Sequence, residues 1–256
     1  MYDQFAPDYD RFVNWTNRLA VELPFIEDLL ENIPHPADRP LQVLDAACGT
    51  GMHAIALAKH GIEVSAADLS APMIEKARLN AQAAGVNLNL KATGFGTLAV
   101  VFGERTFDAV LCLGNSLPHL LTTADLNFAL YDFAACLHPG GLLLIQNRNF
   151  DAVLAGQQRW MEPQSYQNNN QQWLFMRFYD FESDGLIRFN IVTLKRPVDG
   201  DWVSSVTSTQ IYPQSHLDLI AALSSAGFSS TQAYGSMSGE LFNPMSSANL
   251  VLAASL

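Results

Sequence analysis

Basic residues are scarce in this 256-residue chain: 14 Lys and Arg stand against 25 Asp and Glu, a formal net charge of −11. A surface of that sign repels phosphate backbones and anionic lipid, so no nucleic-acid or membrane partner is expected. Cysteine is also rare. Cys48, Cys112 and Cys136 are odd in number, widely spaced and without a CxxC pair, which argues against a disulfide framework and a zinc site. No apolar run approaches the length that crosses a bilayer. The acidic stretch Met1-Tyr-Asp-Gln-Phe-Ala-Pro-Asp-Tyr-Asp10 has no apolar core of the signal-peptide kind, so a cytoplasmic location is expected. Hydrophobic residues nevertheless make up 49% of the chain, enough to bury a sizeable core.

The pattern along the chain gives the architecture. Apolar residues at helical spacing (Leu19, Leu23, Ile26, Leu30, Ile33) predict helix over 12–33, with Pro24 placed to begin a second helix at its first turn. The proline-rich stretch 33–40 must be a loop. A short strand over 41–44 then ends at Asp45, a glycine turn follows, and helical spacing resumes from Met52 to His60. A second strand over 62–67 ends at Asp68, and a second helix, 71–84, is closed by Gly85. Strand, helix, strand and helix joined by short turns predict a parallel sheet. Further buried strands are expected at 107–113 and 142–146, the latter introduced by Pro139-Gly140-Gly141. Beyond Gln157 the texture changes. Gln167 to Gln172 looks like a flexible polar loop. Three β-rich stretches follow (173–181, 186–194, 202–212), separated by Ser183-Asp184-Gly185 and by Pro197-Val-Asp199-Gly200. A helix over 215–226 and strands near 228–234 and 249–253 complete the chain.

The densest chemical signal is Val43-Leu-Asp45-Ala-Ala-Cys-Gly49-Thr-Gly51, where a strand breaks into a turn that opens a helix. Glycines there admit close approach of a ligand to the backbone. Gly49-Thr-Gly51-Met-His-Ala54 also fits a dinucleotide fingerprint, which keeps an NAD(P)-binding oxidoreductase among the alternatives. Asp45 at the strand tip disfavours a pyrophosphate but favours a ligand carrying a sulfonium and an ammonium, as S-adenosylmethionine does. Asp68, 17 residues beyond Gly51 at the next strand tip, can accept both ribose hydroxyls. The blander roles are a turn-initiating Asp45 and a helix-capping Asp68.

These residues resemble the first two motifs of the class I S-adenosylmethionine-dependent methyltransferases, with Ala47 where the commonest pattern has its first glycine. The resemblance runs from about Leu41 to Phe150 and includes Ala67-Asp68-Leu69-Ser70 and Leu137-His-Pro-Gly-Gly141. Phe107-Asp-Ala-Val-Leu-Cys-Leu-Gly-Asn115-Ser-Leu-Pro-His119 and Ile145-Gln-Asn-Arg148-Asn-Phe-Asp151 are similar to the glycine N-methyltransferases in particular. Ala92-Thr-Gly94-Phe-Gly96 departs from the family's usual Asp or Asn beside the adenine.

The resemblance implies a Rossmann-like, mostly parallel α/β sheet with helices on both faces. An antiparallel three-stranded insertion would lie between the fifth strand and the last helix. It divides the chain into a helical cap (1–40), a donor-binding core (41–156), a β insertion acting as substrate lid (157–212) and a C-terminal segment completing the core (213–256). It implies S-adenosylmethionine held by Asp45, Ala47, Gly49, Gly51, Asp68, Leu69 and Leu113, with Arg18 on the methionine carboxylate. Asn115 would hold a substrate amine, Arg148 its carboxylate, and Tyr212 would face the substrate. Other roles stay open: a helix cap for Asn115, an ion pair with Asp151 for Arg148, and helix packing for Arg18. The aromatics Tyr2, Tyr9 and Trp15 precede the first strand, and in similar enzymes that segment covers the donor. His119 is either a base or a structural histidine.

The activated sulfonium needs no covalent enzyme intermediate, in keeping with the lack of any Ser/His/Asp or Cys/His set. The substrate expected is a small molecule. DNA amino-methylating enzymes show Asn/Asp-Pro-Pro-aromatic where this chain has Asn115-Ser-Leu-Pro118. Catechol-type enzymes need clustered carboxylates there, and cytosine-C5 enzymes a Pro-Cys pair. An O-methyltransferase of a small metabolite and a non-catalytic donor-binding module are the remaining alternatives. Oligomeric state is left open.

Overall fold

The computed structural model describes residues 2–36 and 38–256, apart from the side chains of Tyr2 and Gln4. The order is α1 (Tyr2–Phe12), α2 (Trp15–Glu31), β1 (Gln42–Asp45), α3 (Met52–Lys59), β2 (Glu63–Asp68), α4 (Ala71–Ala84), β3 (Asn89–Ala92), α5 (Leu98–Phe102) and β4 (Phe107–Cys112). A 3-10 turn (Leu117–His119), α6 (Thr123–Cys136), β5 (Leu137–Arg148) and α7 (Phe150–Ala155) follow. Then come β6 (Gln164–Gln167), β7 (Gln171–Phe181), β8 (Ile187–Pro197), β9 (Val203–Ile211), α8 (His216–Ser225), β10 (Ser230–Tyr234) and β11 (Asn249–Ser255). No described helix is long and apolar enough to cross a membrane.

Seven strands form the main sheet in the order β10-β11-β5-β4-β1-β2-β3. Every neighbouring pair from β5 to β3 is parallel, whereas β11 runs antiparallel to both β5 and β10. Alternation along each strand feeds two cores, one per face. Leu44 and Val110 pack with Leu98 of α5, Phe133 of α6 and Leu223 of α8. Val43 and Leu111 pack instead with Ile26 of α2, Leu57 of α3 and Ile74 of α4. The expected Rossmann-like sheet is thus present, with helices on both faces. Local chemistry sets the helix ends: the Ser70 hydroxyl accepts the Met73 N–H at the start of α4, and Gly85 closes it in the left-handed conformation.

The insertion holds the three expected strands and a fourth. Its sheet runs β6-β7-β8-β9 and is antiparallel throughout. The polar stretch expected as a flexible loop is a tight hairpin turn. Gln167 pairs with Gln172, and Asn168 Oδ1 accepts the N–H groups of Asn170 and Gln171, an Asx turn that composition conceals. Pro139-Gly140-Gly141 likewise lies within β5: Phe107 pairs with Leu137 but Ala109 with Leu142, so the triplet is a bulge.

Pro24 does not begin a helix. It lies inside α2, and the break falls at Asn14, whose side chain accepts the Asn17 N–H at the helix start. One missing N–H near the middle of a helix whose face carries Ile26 and Leu30 is tolerated because that face is buried in the core. Upstream, α1 fastens the insertion to the main sheet. Asp8 accepts from Trp173 Nε1 (3.1 Å) and pairs with Lys195 (2.6 Å), while Asp10 accepts from Thr50 Oγ1 (2.6 Å) and Trp15 Nε1 (3.0 Å). Phe5 of α1 packs with Trp173, Phe175 and Ile191 of the insertion, and Tyr9 and Phe12 lie against that cluster.

Candidate active site

The parallel strands end on one side, and two cavities open there. The first is a crevice of about 60 Å³ walled by Tyr9, Trp15, Arg18, Asp45, Ala47, Gly49, Asp68 and Leu113, among others. It lies between the tips of β1 and β2, where α/β sheets of this kind bind ligands. The second, of about 500 Å³, is walled by Asn115, Arg148, Arg177 and Tyr179, with Phe5 and Phe12 of α1 and Trp160 to Glu162 of the insertion. Tyr9, Arg18 and Gly114 line both, so the two cavities adjoin.

Asp45 is only 1% exposed, and burial pushes its carboxyl up to about 7 against the opposing pull of the Ala47 amide. Asp68 is raised as well, again by burial, although its two oxygens accept the N–H groups of Gly49 (2.9 Å) and Ser70 (2.8 Å). Gly49 presents its amide to Asp68 from φ +53°, a conformation glycine reaches without strain, and the Tyr9 ring lies over it. Two acids close enough to affect one another, both destabilised as anions, favour a cationic ligand between them. Cys48 shares the crevice, but burial and then the Asp45 and Asp68 charges push its thiol well up, so it supplies no thiolate.

A buried polar network closes the crevice on the α2 side. Arg18 Nε donates to Glu22 (3.0 Å) and its Nη2 to Gln146 Oε1 (3.0 Å), which also accepts the Gly114 N–H (3.1 Å). His53 Nε2 lies 2.6 Å from Glu22. Burial raises Glu22, but the His53 hydrogen bond and the Arg18 charge outweigh it and leave the carboxyl lowered. His53 is lowered by burial, so a neutral ring donates to an ionised Glu22. Nothing in the motif marks Glu22, His53 or Gln146; the Arg18/Glu22 spacing of one helical turn is the only signal the sequence carries.

The expected residues divide. Asp45, Ala47, Gly49, Asp68, Leu113 and Arg18 line the crevice, and Asn115 and Arg148 line the larger cavity beside it. Gly51, Leu69 and Tyr212 line neither. Gly51 starts α3 at φ +79°, and a Cβ there would stand 3.0 Å from Ala77 Cβ, so this glycine lets α3 and α4 approach one another. Gly51→Ala is expected to lower unfolding free energy by about 1–3 kcal/mol, measured in urea, from positive φ and overpacking together. Leu69 is 82% exposed and abuts Gly94. Tyr212 follows the end of β9, where its N–H is bonded to Pro118 O at 2.7 Å and the chain leaves the insertion.

Asn115 holds φ +70°, and its Oδ1 accepts the Arg148 N–H at 2.8 Å, leaving one lone pair. Asp151 accepts the His216 N–H, and among the described residues Arg148 has no ion pair with it or any other acid. Burial pushes His119 down to about 4, so it is neutral near pH 7, and it lines neither cavity. The Tyr2 side chain lies outside the described residues.

Residues 43–141 match the family described as a methyltransferase domain. A glycine/sarcosine N-methyltransferase of Parasynechococcus marenigrum (strain WH8102) is 37% identical over 155 residues, 60% of this chain and 52% of that protein. Mouse glycine N-methyltransferase is 38% identical over 125 residues, 44% of this chain and 42% of that protein. The chain thus matches about half the length of these relatives. An S-adenosylmethionine-dependent methyltransferase of Clostridium acetobutylicum ATCC 824 superposes with a TM-score of 0.76 at 19% identity, over 100% of this chain and 98% of that one. That likeness shows the fold.

Proposed function

We propose that this chain is an S-adenosylmethionine-dependent methyltransferase that methylates the nitrogen of a small amine bearing a carboxylate. One observation carries the reading: a crevice with the buried Asp45 and the half-buried Asp68 at its strand tips adjoins a cavity walled by an asparagine and by an arginine that has no acidic partner among the described residues. The relatives' N-methylation of glycine and sarcosine supports the same substrate class.

S-adenosylmethionine, when bound, supplies a methyl group already activated on a sulfonium, so the residues need only hold and align. Asp68 would exchange one of its backbone contacts for the ribose hydroxyls. Asp45 would face the cationic end, and Arg18 the donor's carboxylate. The second lone pair of Asn115 Oδ1 can take an amine N–H and turn the nitrogen toward the shared wall at Gly114. The Arg148 guanidinium offers a planar fork to the acceptor's carboxylate. The insertion and α1 cover this cavity and limit water during transfer.

Labelled S-adenosylmethionine incubated with an amine and acid panel tests the reading. Methylated glycine-like amines and S-adenosylhomocysteine are the expected products. Tight donor binding with no product would favour a binding module, and NAD binding in its place an oxidoreductase. Asp68→Ala is expected to weaken donor affinity by about 1–3 kcal/mol in calorimetry, through lost charged hydrogen bonds. An unchanged affinity in the folded variant would remove the ribose role.

A further inference from the structure

Arg148 accounts for one carboxylate on the acceptor, but it is not the only guanidinium in the larger cavity. Arg177 of β7 lines the same wall. It shares a strand face with Trp173, Phe175 and Tyr179, two and four residues away, and its guanidinium stacks over the Phe12 ring at 4.8 Å. Neither Arg148 nor Arg177 forms a side-chain hydrogen bond or ion pair with any described residue, and the Nε of each is buried without a partner. Such groups are normally satisfied.

A shortage of acids is not the cause, because carboxylates outnumber basic side chains 25 to 14 in this chain. Arg11, Arg18, Arg39, Arg78, Arg159 and Arg188 each pair with one. Of the cavity's own carboxylates, Glu22 is bonded to Arg18 and His53, and Glu162 is exposed at the rim. Arg177 is lowered by burial first and further by the Arg148 charge, so the two cations stand close enough to repel one another. Holding two such groups together without an anion is unfavourable, and a ligand with matching charges would relieve it.

We infer that the methyl acceptor carries two anionic groups flanking or adjoining its amine, one on Arg148 and the second on Arg177, as in an amino dicarboxylate or an amino acid with a side-chain phosphonate. This rests on the methyl-transfer reading above. It differs from that reading in the substrate class: glycine and sarcosine would fill one guanidinium and leave the other bare. Phe12 holds the Arg177 fork by stacking, and α1, which carries Phe12, becomes part of the specificity wall.

The test measures kcat/KM by S-adenosylhomocysteine formation, with the donor saturating, for glycine, aspartate and 2-amino-3-phosphonopropanoate, which carries a carboxylate and a phosphonate. Wild type, Arg177→Gln and Arg177→Lys are compared, and donor affinity is measured calorimetrically for each. Aspartate or 2-amino-3-phosphonopropanoate is expected to exceed glycine by about 10- to 100-fold, with the better of the two identifying the second group as carboxylate or phosphonate. Arg177→Gln should bring the favoured dianion to within about threefold of glycine and leave glycine itself little changed, while Arg177→Lys keeps part of the preference. Glycine preferred over both dianions, or glycine and dianions losing equally in Arg177→Gln, overturns the inference; equal losses would mean that both arginines bridge one carboxylate. If the donor binds and glycine is methylated in that case, the methyl-transfer reading stands and only the second anion falls. If the donor does not bind to wild type, both fall.

Discussion

Asp45→Asn is expected to weaken donor binding severely and, at pH 8, to stabilise the ligand-free fold. Burial holds the Asp45 carboxyl at about 7 in the folded chain, well above the ordinary carboxylate value of 3.8. A raised acid makes its contribution to stability below its unfolded value, and loses it as pH rises through the folded one. Wild type should therefore lose stability relative to Asp45→Asn between pH 4 and 7, with a full difference of about 2–4 kcal/mol at pH 8 and almost none at pH 4. Urea unfolding across that range measures it. The same burial works in reverse when a cation arrives. A sulfonium or ammonium beside Asp45 favours the ionised form, so donor affinity should rise about tenfold per pH unit from pH 5 towards 7 and then level off. Calorimetry in two buffers of different ionisation enthalpy should register release of about one proton on binding at pH 6. Asp45→Asn removes that release and weakens affinity by about 100-fold or more, since it deletes one partner of a buried charge pair. A variant that binds the donor as tightly as wild type would place Asp45 in the turn and nowhere else.

Arg148→Lys is the second large effect. The arginine is free of acidic partners among the described residues, so its substitution breaks no ion pair of the fold. An ammonium keeps the charge but loses the planar fork. For an acceptor with a carboxylate, kcat/KM is expected to fall by about 100-fold, mainly through KM, whereas the matching amide should lose less than about fivefold. Equal losses on acid and amide would make Arg148 a structural residue of the cavity wall.

How far the sequence reaches is clearest at the two strand tips. Asp45 and Asp68 announce themselves because each ends a short apolar strand and precedes a helix, so the aligned parallel pair must bring them to one edge. The stop of α4 at Gly85 is legible for the same local reason, whereas its cap is Ser70 and not Asp68. What escaped the sequence depends on contacts between distant segments. Glu22, His53 and Gln146 meet only because α2 lies across the tip of β5. Arg177 and Tyr179 read as ordinary strand residues, since alternation gives two faces and does not say which one meets Arg148. Motif position alone does not set a residue beside a cavity. Gly51 sits in the signature turn yet serves helix packing, and Tyr212 sits at the end of the insertion yet lies outside both cavities.

What sits between the two acids decides the donor's identity. A crystal structure of the chain soaked with S-adenosylhomocysteine reads this directly. The ribose hydroxyls should lie on Asp68, the amino-acid end between Asp45 and Arg18, and the sulfur should point through the wall at Gly114 towards Asn115 and Arg148. The ligand bound elsewhere, or a crevice that admits the pyrophosphate of NAD at Gly49 and refuses this nucleoside, would contradict it.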